Sequence, residues 1–183
     1  MATRHAYVPT RLGDLLLVAS DAAPAVAGSV SPAADALIGL YFEGHWYPPS
    51  PETIGERVDE HADPLIARAA RELREYLAGE RREFGVPVRT AGDPTSERVW
   101  ERLRRIPYGE TVTYGRIATE LGNRGLAQRV GQAVGHNPVS IIIPCHRVVG
   151  ADGSLTGFAG GLDRKRALLA FEEPAPESVG RLF

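Results

Sequence analysis

Thr113-Tyr114-Gly115-Arg116-Ile117-Ala118-Thr119-Glu120-Leu121-Gly122-Asn123-Arg124-Gly125-Leu126-Ala127-Gln128-Arg129-Val130-Gly131-Gln132-Ala133-Val134-Gly135 decides how the second half of the chain folds. Thr113 caps a short helix from Tyr114 to Leu121. Gly122-Asn123-Arg124-Gly125 makes a tight turn, and a second helix runs from Leu126 to about Gly135. Two helices joined by a Gly-containing turn of about four residues have helix-turn-helix spacing. Many αα-hairpins share that spacing, so alone it does not separate a DNA reader from a plain hairpin.

Upstream, the pattern predicts a helix from about Thr95 to Arg105 that buries Val99, Trp100 and Leu103, broken by Pro107-Tyr108-Gly109. Downstream, Val139 to Ile143 reads as a buried extended run leading into Pro144-Cys145-His146-Arg147-Val148-Val149. A Gly-rich loop, Gly150 to Gly161, and a last helix from about Asp163 to Glu172 follow. The first third reads as β: Arg4 to Val8, Asp14 to Ser20 and Ala36 to Glu43. The Ala-, Pro- and Ser-rich stretch from Asp21 to Asp35 between them reads as a mobile loop. Asp63-Pro64 opens a helix, with Leu65, Ile66, Ala69, Leu73, Tyr76 and Leu77 at helical spacing and Gly79 at its end. Phe84 to Val88 reads as an edge strand, because Pro87 cannot donate. The expected fold is an α/β part with a small antiparallel sheet and a helix (residues 1–92). A mostly helical domain with a helix-turn-helix (93–173) and a flexible tail (174–183) follow it.

The 183 residues are 43% apolar and 24% charged, enough to bury a core. No run approaches the roughly 20 apolar residues of a membrane span, and no apolar signal region opens the chain. Cys145 is the single cysteine, so a disulfide scaffold is excluded and a cytoplasmic location is expected. The net charge is −2, yet Glu101 to Arg166 holds ten Lys/Arg against five Asp/Glu. Such asymmetry suits a polyanion on one face, or simply an unevenly charged surface.

Read alone, Cys145 is a small buried hydrophobe or a nucleophile. Pro144 brings it to the edge of the core, His146 and Arg147 can lower a thiol pKa, and glycines follow. His146 need not touch Cys145, since neighbours on an extended segment point apart, so a turn or a bridging water is required. Asn137-Pro138 is a cap or a turn lock. Glu172 at a helix C-terminus opposes the dipole and makes better sense with a partner such as His146. No dinucleotide, P-loop, HExxH or CxxC pattern is present. If Cys145 is a nucleophile, the electrophile must then arrive on the substrate. A DNA-binding regulator with an inert cysteine and a thiol hydrolase using Cys145 and His146 are the rival classes.

Pro144-Cys145-His146-Arg147-Val148-Val149, Gly135-His136-Asn137-Pro138 and Ile106-Pro107-Tyr108-Gly109-Glu110-Thr111-Val112-Thr113-Tyr114-Gly115 together resemble the 6-O-alkylguanine-DNA alkyltransferases. The likeness runs through Gly160-Gly161-Leu162 and Arg164-Lys165 to Leu168-Leu169 and Glu172, and is looser over the first ninety residues. It implies that Cys145 accepts an alkyl group from guanine in double-stranded DNA, once and irreversibly. His146 would act as base through a water, Glu172 would orient it, and Asn137 would brace the turn. Tyr114 would contact the flipped base and help protonate it. Val148, Pro138, Phe158 and Ala159 would line the base site. A helix bearing Ala127, Gln128, Arg129 and Gly131, with Arg124 and Thr113 beside it, would enter the minor groove. The resemblance implies no cofactor and a monomer, and no metal is expected, because one cysteine builds no thiolate site and the zinc ligands of some family members are absent here.

Some positions depart from the family pattern. Gln128 stands where most members have an arginine that fills the gap left by the flipped base, with Arg129 next to it. Phe158 replaces a common tyrosine, Ala159 lacks a hydroxyl, and Thr95-Ser96 replace a Phe-Gln pair.

Overall fold

The protein is described by a computed structural model covering residues 2–21 and 34–173. The expected mobile loop lies mostly, and the expected flexible tail wholly, outside these described residues. Strands β1 (Thr3–Val8), β2 (Leu15–Ser20) and β3 (Ala36–Phe42) form an antiparallel meander. After a short helix α1 (Pro51–Ile54), strand β4 (Glu56–Arg57) adds to β1 in parallel, giving the order β3-β2-β1-β4. The sheet is therefore mixed, not purely antiparallel as expected. Its core face is Ala6 and Val8, Leu15, Leu17 and Ala19, and Leu37, Leu40 and Phe42. Leu37 and Leu40 share a face despite their odd spacing because the register shifts between Val18 and Ala19. One extra residue in β3 restores the alternation.

Helix α2 (Pro64–Leu77) lies on that face. Asp63 caps it by accepting from the Ile66 N–H at 2.9 Å, and Arg4 of β1 pairs with the same carboxylate. Ile66, Ala69, Leu73, Tyr76 and Leu77 are buried at the expected helical spacing. Phe84 to Val88 is not a strand. Its contact with the sheet is a single bridge of Val88 to Leu37, while Glu72 accepts from the N–H groups of Gly85 and Val86. The buried carboxylate satisfies donors that a strand would have paired.

Helix α3 (Pro94–Arg104) starts at Asp93, which accepts from the N–H groups of Thr95 and Ser96. It packs on α5 (Ala127–Gly135), where the Trp100 indole donates to the Ala133 carbonyl at 2.8 Å. Helix α4 (Tyr114–Glu120) is capped by Thr113 as expected. A 3₁₀ turn at Arg124–Leu126 leads from it to α5. A two-residue parallel ladder joins β5 (Val112–Thr113) to β6 (Val148–Val149), and α6 (Leu162–Glu172) closes the structure. One apolar cluster runs through both parts. Among the described residues no helix is long and apolar enough to cross a membrane.

Candidate active site

Val139 to Ile143 is a tight turn, not the extended run expected. Ile142 N–H donates to Ser140, Ile143 N–H to Val139, and Ile141 takes a positive φ of 69°. A β-branched residue there costs about 1–3 kcal/mol and persists only when its surroundings fix it. Two clamps do so. Asn137 donates to the Ile143 carbonyl at 2.8 Å and accepts from the Val139 N–H at 3.0 Å. Leu40 of β3 donates to the Pro138 carbonyl and accepts from the Ser140 N–H. The sheet thus grips the turn that presents Cys145.

Cys145 begins a 3₁₀ turn, Cys145–Arg147, with 3% of its surface exposed. The turn supplies the change of direction that an extended Cys-His pair lacks. His146 is fully buried, with Nε2 at 2.8 Å from Glu172 Oε1. Its Nδ1 is buried with no hydrogen-bond partner among the described residues. With Nε2 protonated toward the carboxylate, Nδ1 is the free base position.

Glu172 also receives Arg147 Nη2 at 2.7 Å on Oε1, Arg147 Nε at 2.8 Å on Oε2, and the Gly109 N–H at 3.1 Å. The Tyr76 hydroxyl donates to Oε1 at 2.5 Å. Burial pushes this carboxyl up, but the bonds from His146 and Arg147 outweigh burial and hold it far below the usual carboxylate range. Burial lowers His146, and Arg147 and Lys165 add to that against Glu172, so the ring is neutral at pH 7. Burial raises the Cys145 thiol, opposed by Asn137, Lys165 and Ser140. The Arg147 guanidinium is taken up by Glu172 and the Ile106 carbonyl.

Tyr114 is half-buried, and its hydroxyl donates to the carbonyls of Thr156 and Gly157 at 3.2 and 3.3 Å. Burial raises its pKa above the ordinary phenol value, against the bond to Thr156, and Cys145 adds to the rise. Val148 is buried in the ladder opposite Val112. Phe158 is also core, edge-on to Phe42 at 5.7 Å. A side chain at Gly160 would overlap both rings. The Ala159 carbonyl accepts from the Trp46 N–H, and Pro138 is half-buried.

Lys165 belongs to this site although the sequence does not single it out. It is fully buried, donates to the carbonyls of Val148 and Thr156 at 2.6 and 2.7 Å, and is lowered by burial to about 8. A signal exists: Lys165, Leu168 and Glu172 share one face at i, i+3, i+7. Tyr76 reads from its spacing as core, yet a phenol at a core position needs a partner for its hydroxyl.

The exposed side is different. Gln128 and Arg124 are exposed on α5 and the turn before it, and Ala127, Gly131 and Thr113 are half-buried. A methyl group at Gly131 would touch the Tyr114 ring at 4.0 Å, so the Gly131 side of α5 faces Tyr114. Gln128 lies three residues earlier on that side. Arg129 is paired with Asp93 at 3.1 Å. The ten cations of Glu101 to Arg166 are not all on offer. Arg147 and Lys165 are buried, Arg164 holds the carbonyls of Leu12, Glu43 and Gly160, and Arg102 and Arg116 share Glu120.

A buried thiol followed in the chain by an imidazole that a buried carboxylate orients is the equipment of a cysteine-dependent enzyme, for group transfer or for hydrolysis. The family described as "6-O-methylguanine DNA methyltransferase, DNA binding domain" matches residues 94–174. A methylated-DNA–protein-cysteine methyltransferase of Haemophilus influenzae is 35% identical over 173 residues, 94% of this chain and 87% of its own. One of Mycolicibacterium paratuberculosis is 53% identical over 107 residues, 58% of this chain and 65% of its own. The crystal structure of Mycobacterium tuberculosis OGT in complex with DNA aligns at a TM-score of 0.76 and 41% identity, covering 92% of each chain. The chain belongs to the methylated-DNA–protein-cysteine methyltransferase family. Its activity is DNA repair by direct transfer of an alkyl group from DNA to its own cysteine.

Proposed function

We propose that Cys145 attacks the alkyl carbon of 6-O-alkylguanine in double-stranded DNA, the carbon–oxygen bond breaking as the carbon–sulfur bond forms. The observation that carries this is the single cysteine of the chain followed directly by a buried imidazole held at 2.8 Å by the Glu172 carboxylate. The thiol proton passes through a water to His146 Nδ1, the buried nitrogen without a partner among the described residues. Glu172 stabilises the imidazolium that forms. Tyr114 hands a proton to guanine as it leaves. Asn137 braces the turn.

A raised thiol pKa fits a nucleophile ionised only during the reaction, because an ordinary thiol is already only a few per cent thiolate at pH 7. The thioether is stable and no second cysteine resolves it, so each molecule acts once. One chain carries Cys145, His146 and Glu172 together, which supports a monomer as the acting species, and the transfer as written calls on no metal or cofactor. The lone cysteine fits a reducing cytoplasm.

Residues 93–173 form the DNA-binding and transfer unit, and residues 1–92 buttress it. The α4–turn–α5 segment acts as a helix-turn-helix, with α5 in the minor groove and Arg124, Thr113 and Ala127 along its border. The alkylated base must leave the stack, at a cost of a few kcal/mol. It then lies against Val148 and Pro138 and the Phe158-Ala159 wall. Gln128 fills the gap, since it shares the side of Gly131 and Tyr114 while Arg129 is drawn to Asp93. Mass spectrometry after incubation with a duplex containing 6-O-methylguanine tests the reading. One methyl group on Cys145 per protein is expected; repeated turnover, or a methyl group elsewhere, refutes it.

A further inference from the structure

Tyr76 belongs to α2, in the N-terminal layer, far from the transfer residues in sequence. Its side chain is fully buried against Phe84 and Tyr108, with ring centroids at 5.2 and 6.1 Å. The hydroxyl reaches the catalytic array: 2.5 Å to Glu172 Oε1 and 3.3 Å to His146 Nε2. A phenylalanine would fill the same space, so packing alone does not require the oxygen. Resting on the alkyl-transfer reading above, we propose that Tyr76 is a positioning residue, whose hydroxyl fixes the Glu172 carboxylate and so the direction and basicity of His146.

Three observations support this. Glu172 is otherwise held by Arg147, Gly109 and His146, all from the C-terminal part. Among its described donors, Tyr76 alone comes from the other layer. Donors from two layers fix the plane of a carboxylate, and that plane sets where the Nε2–H bond, and hence Nδ1 across the ring, points. Burial and the adjacent Glu172 push the phenol far above its ordinary ionisation, so it remains a donor throughout. Each donor on Glu172 also takes part of its negative charge. His146 is faced by Glu172 and Lys165 from α6, by Tyr76 from α2, and by Arg147 from its own turn, with Tyr108 flanking Tyr76 and Arg147. Removing the Tyr76 hydroxyl leaves Glu172 more negative and the imidazole more basic.

The test is the single-turnover methyl-transfer rate of full-length wild type and Tyr76→Phe against pH, on duplex DNA carrying 6-O-methylguanine. The acid limb, where His146 protonates, should move upward by about half a unit to one unit. The plateau rate should fall about threefold to tenfold, with DNA affinity unchanged. A folded variant with an unmoved acid limb overturns the proposal. If Tyr76→Phe does not fold, ¹⁵N NMR of the wild-type histidines decides. Protonated Nε2 with bare Nδ1 supports donation by Tyr76 to Glu172, and the opposite tautomer, with Nε2 accepting from Tyr76, refutes it. A wild type that transfers no methyl group would sink the functional reading instead, and the NMR result would still judge the hydrogen bond.

Discussion

The turn Cys145–Arg147 and helix α5 are close in the chain and opposite in physics. The turn is sealed, and the carboxylate facing it accepts from His146, Arg147, Gly109 and Tyr76. Helix α5 shows Gln128 and Arg129 to solvent, and its ion pair with Asp93 is half-exposed. Geometry inside is fixed before any substrate arrives, whereas the outer face is held by contacts worth less than about 1 kcal/mol each. Chemistry that needs a fixed proton acceptor sits in the first region. Contact with a deformable polymer suits the second, where side chains must reorganise as the polymer docks.

Substitutions should separate the two regions. Cys145→Ser should abolish transfer, because a serine hydroxyl is almost wholly protonated at pH 7, while leaving DNA affinity intact. Mass spectrometry of the variant after incubation with alkylated duplex checks this. An added methyl mass on the cysteine-free protein would break the division of labour.

Glu172→Gln comes next. It leaves Arg147 buried without its anion, at a cost of about 3–5 kcal/mol in denaturant unfolding. It should slow transfer by about a hundredfold or more. It also tests linkage: a carboxyl depressed by folding stabilises above its unfolded pKa of about 4.3, and that stabilisation drains away as pH falls toward the folded value. Wild type should therefore lose more stability than Glu172→Gln as pH falls from about 6 to about 3. Parallel pH curves for the two proteins would contradict the ion-pair account.

On the outer face the effects should be smaller. Gln128→Ala should slow repair of duplex DNA by about tenfold while barely changing reaction with free 6-O-methylguanine, since only the duplex needs its gap filled. Arg129→Ala should weaken binding and flatten the salt dependence by about one unit. If Arg129→Ala instead abolishes duplex repair, Arg129 fills the gap. Smallest of all is the salt slope of wild type. With Arg147 and Lys165 buried, about three phosphate contacts and a log–log slope near −3 are expected. A slope near zero would mean that this face does not meet DNA.

Most elements are legible in the sequence because their signals are local. Asp63 and Thr113 cap the helices they precede, and the apolar spacing of α2 matches its buried face. The Glu172–His146 partnership follows from an anion misplaced on a helix dipole. Three readings fail for non-local reasons, the first being the antiparallel sheet, to which β4 adds in parallel beside β1. Val139 to Ile143 is apolar enough for a strand, but Asn137 and Leu40 bend it into a turn. Phe84 to Val88 loses its ladder to the Glu72 carboxylate on another element.

The sequence by itself determined the longer helices, the lone thiol, the family resemblance and the charge asymmetry, because each is written in neighbouring residues or in composition. The tertiary structure alone decided that Arg147 and Lys165 turn inward, that Arg129 meets Asp93, and that Tyr76 reaches Glu172. The reason is distance along the chain. A charge or hydroxyl carries no local sign of its partner, and which one it finds depends on how the sheet, α2 and α6 pack around the turn that holds Cys145.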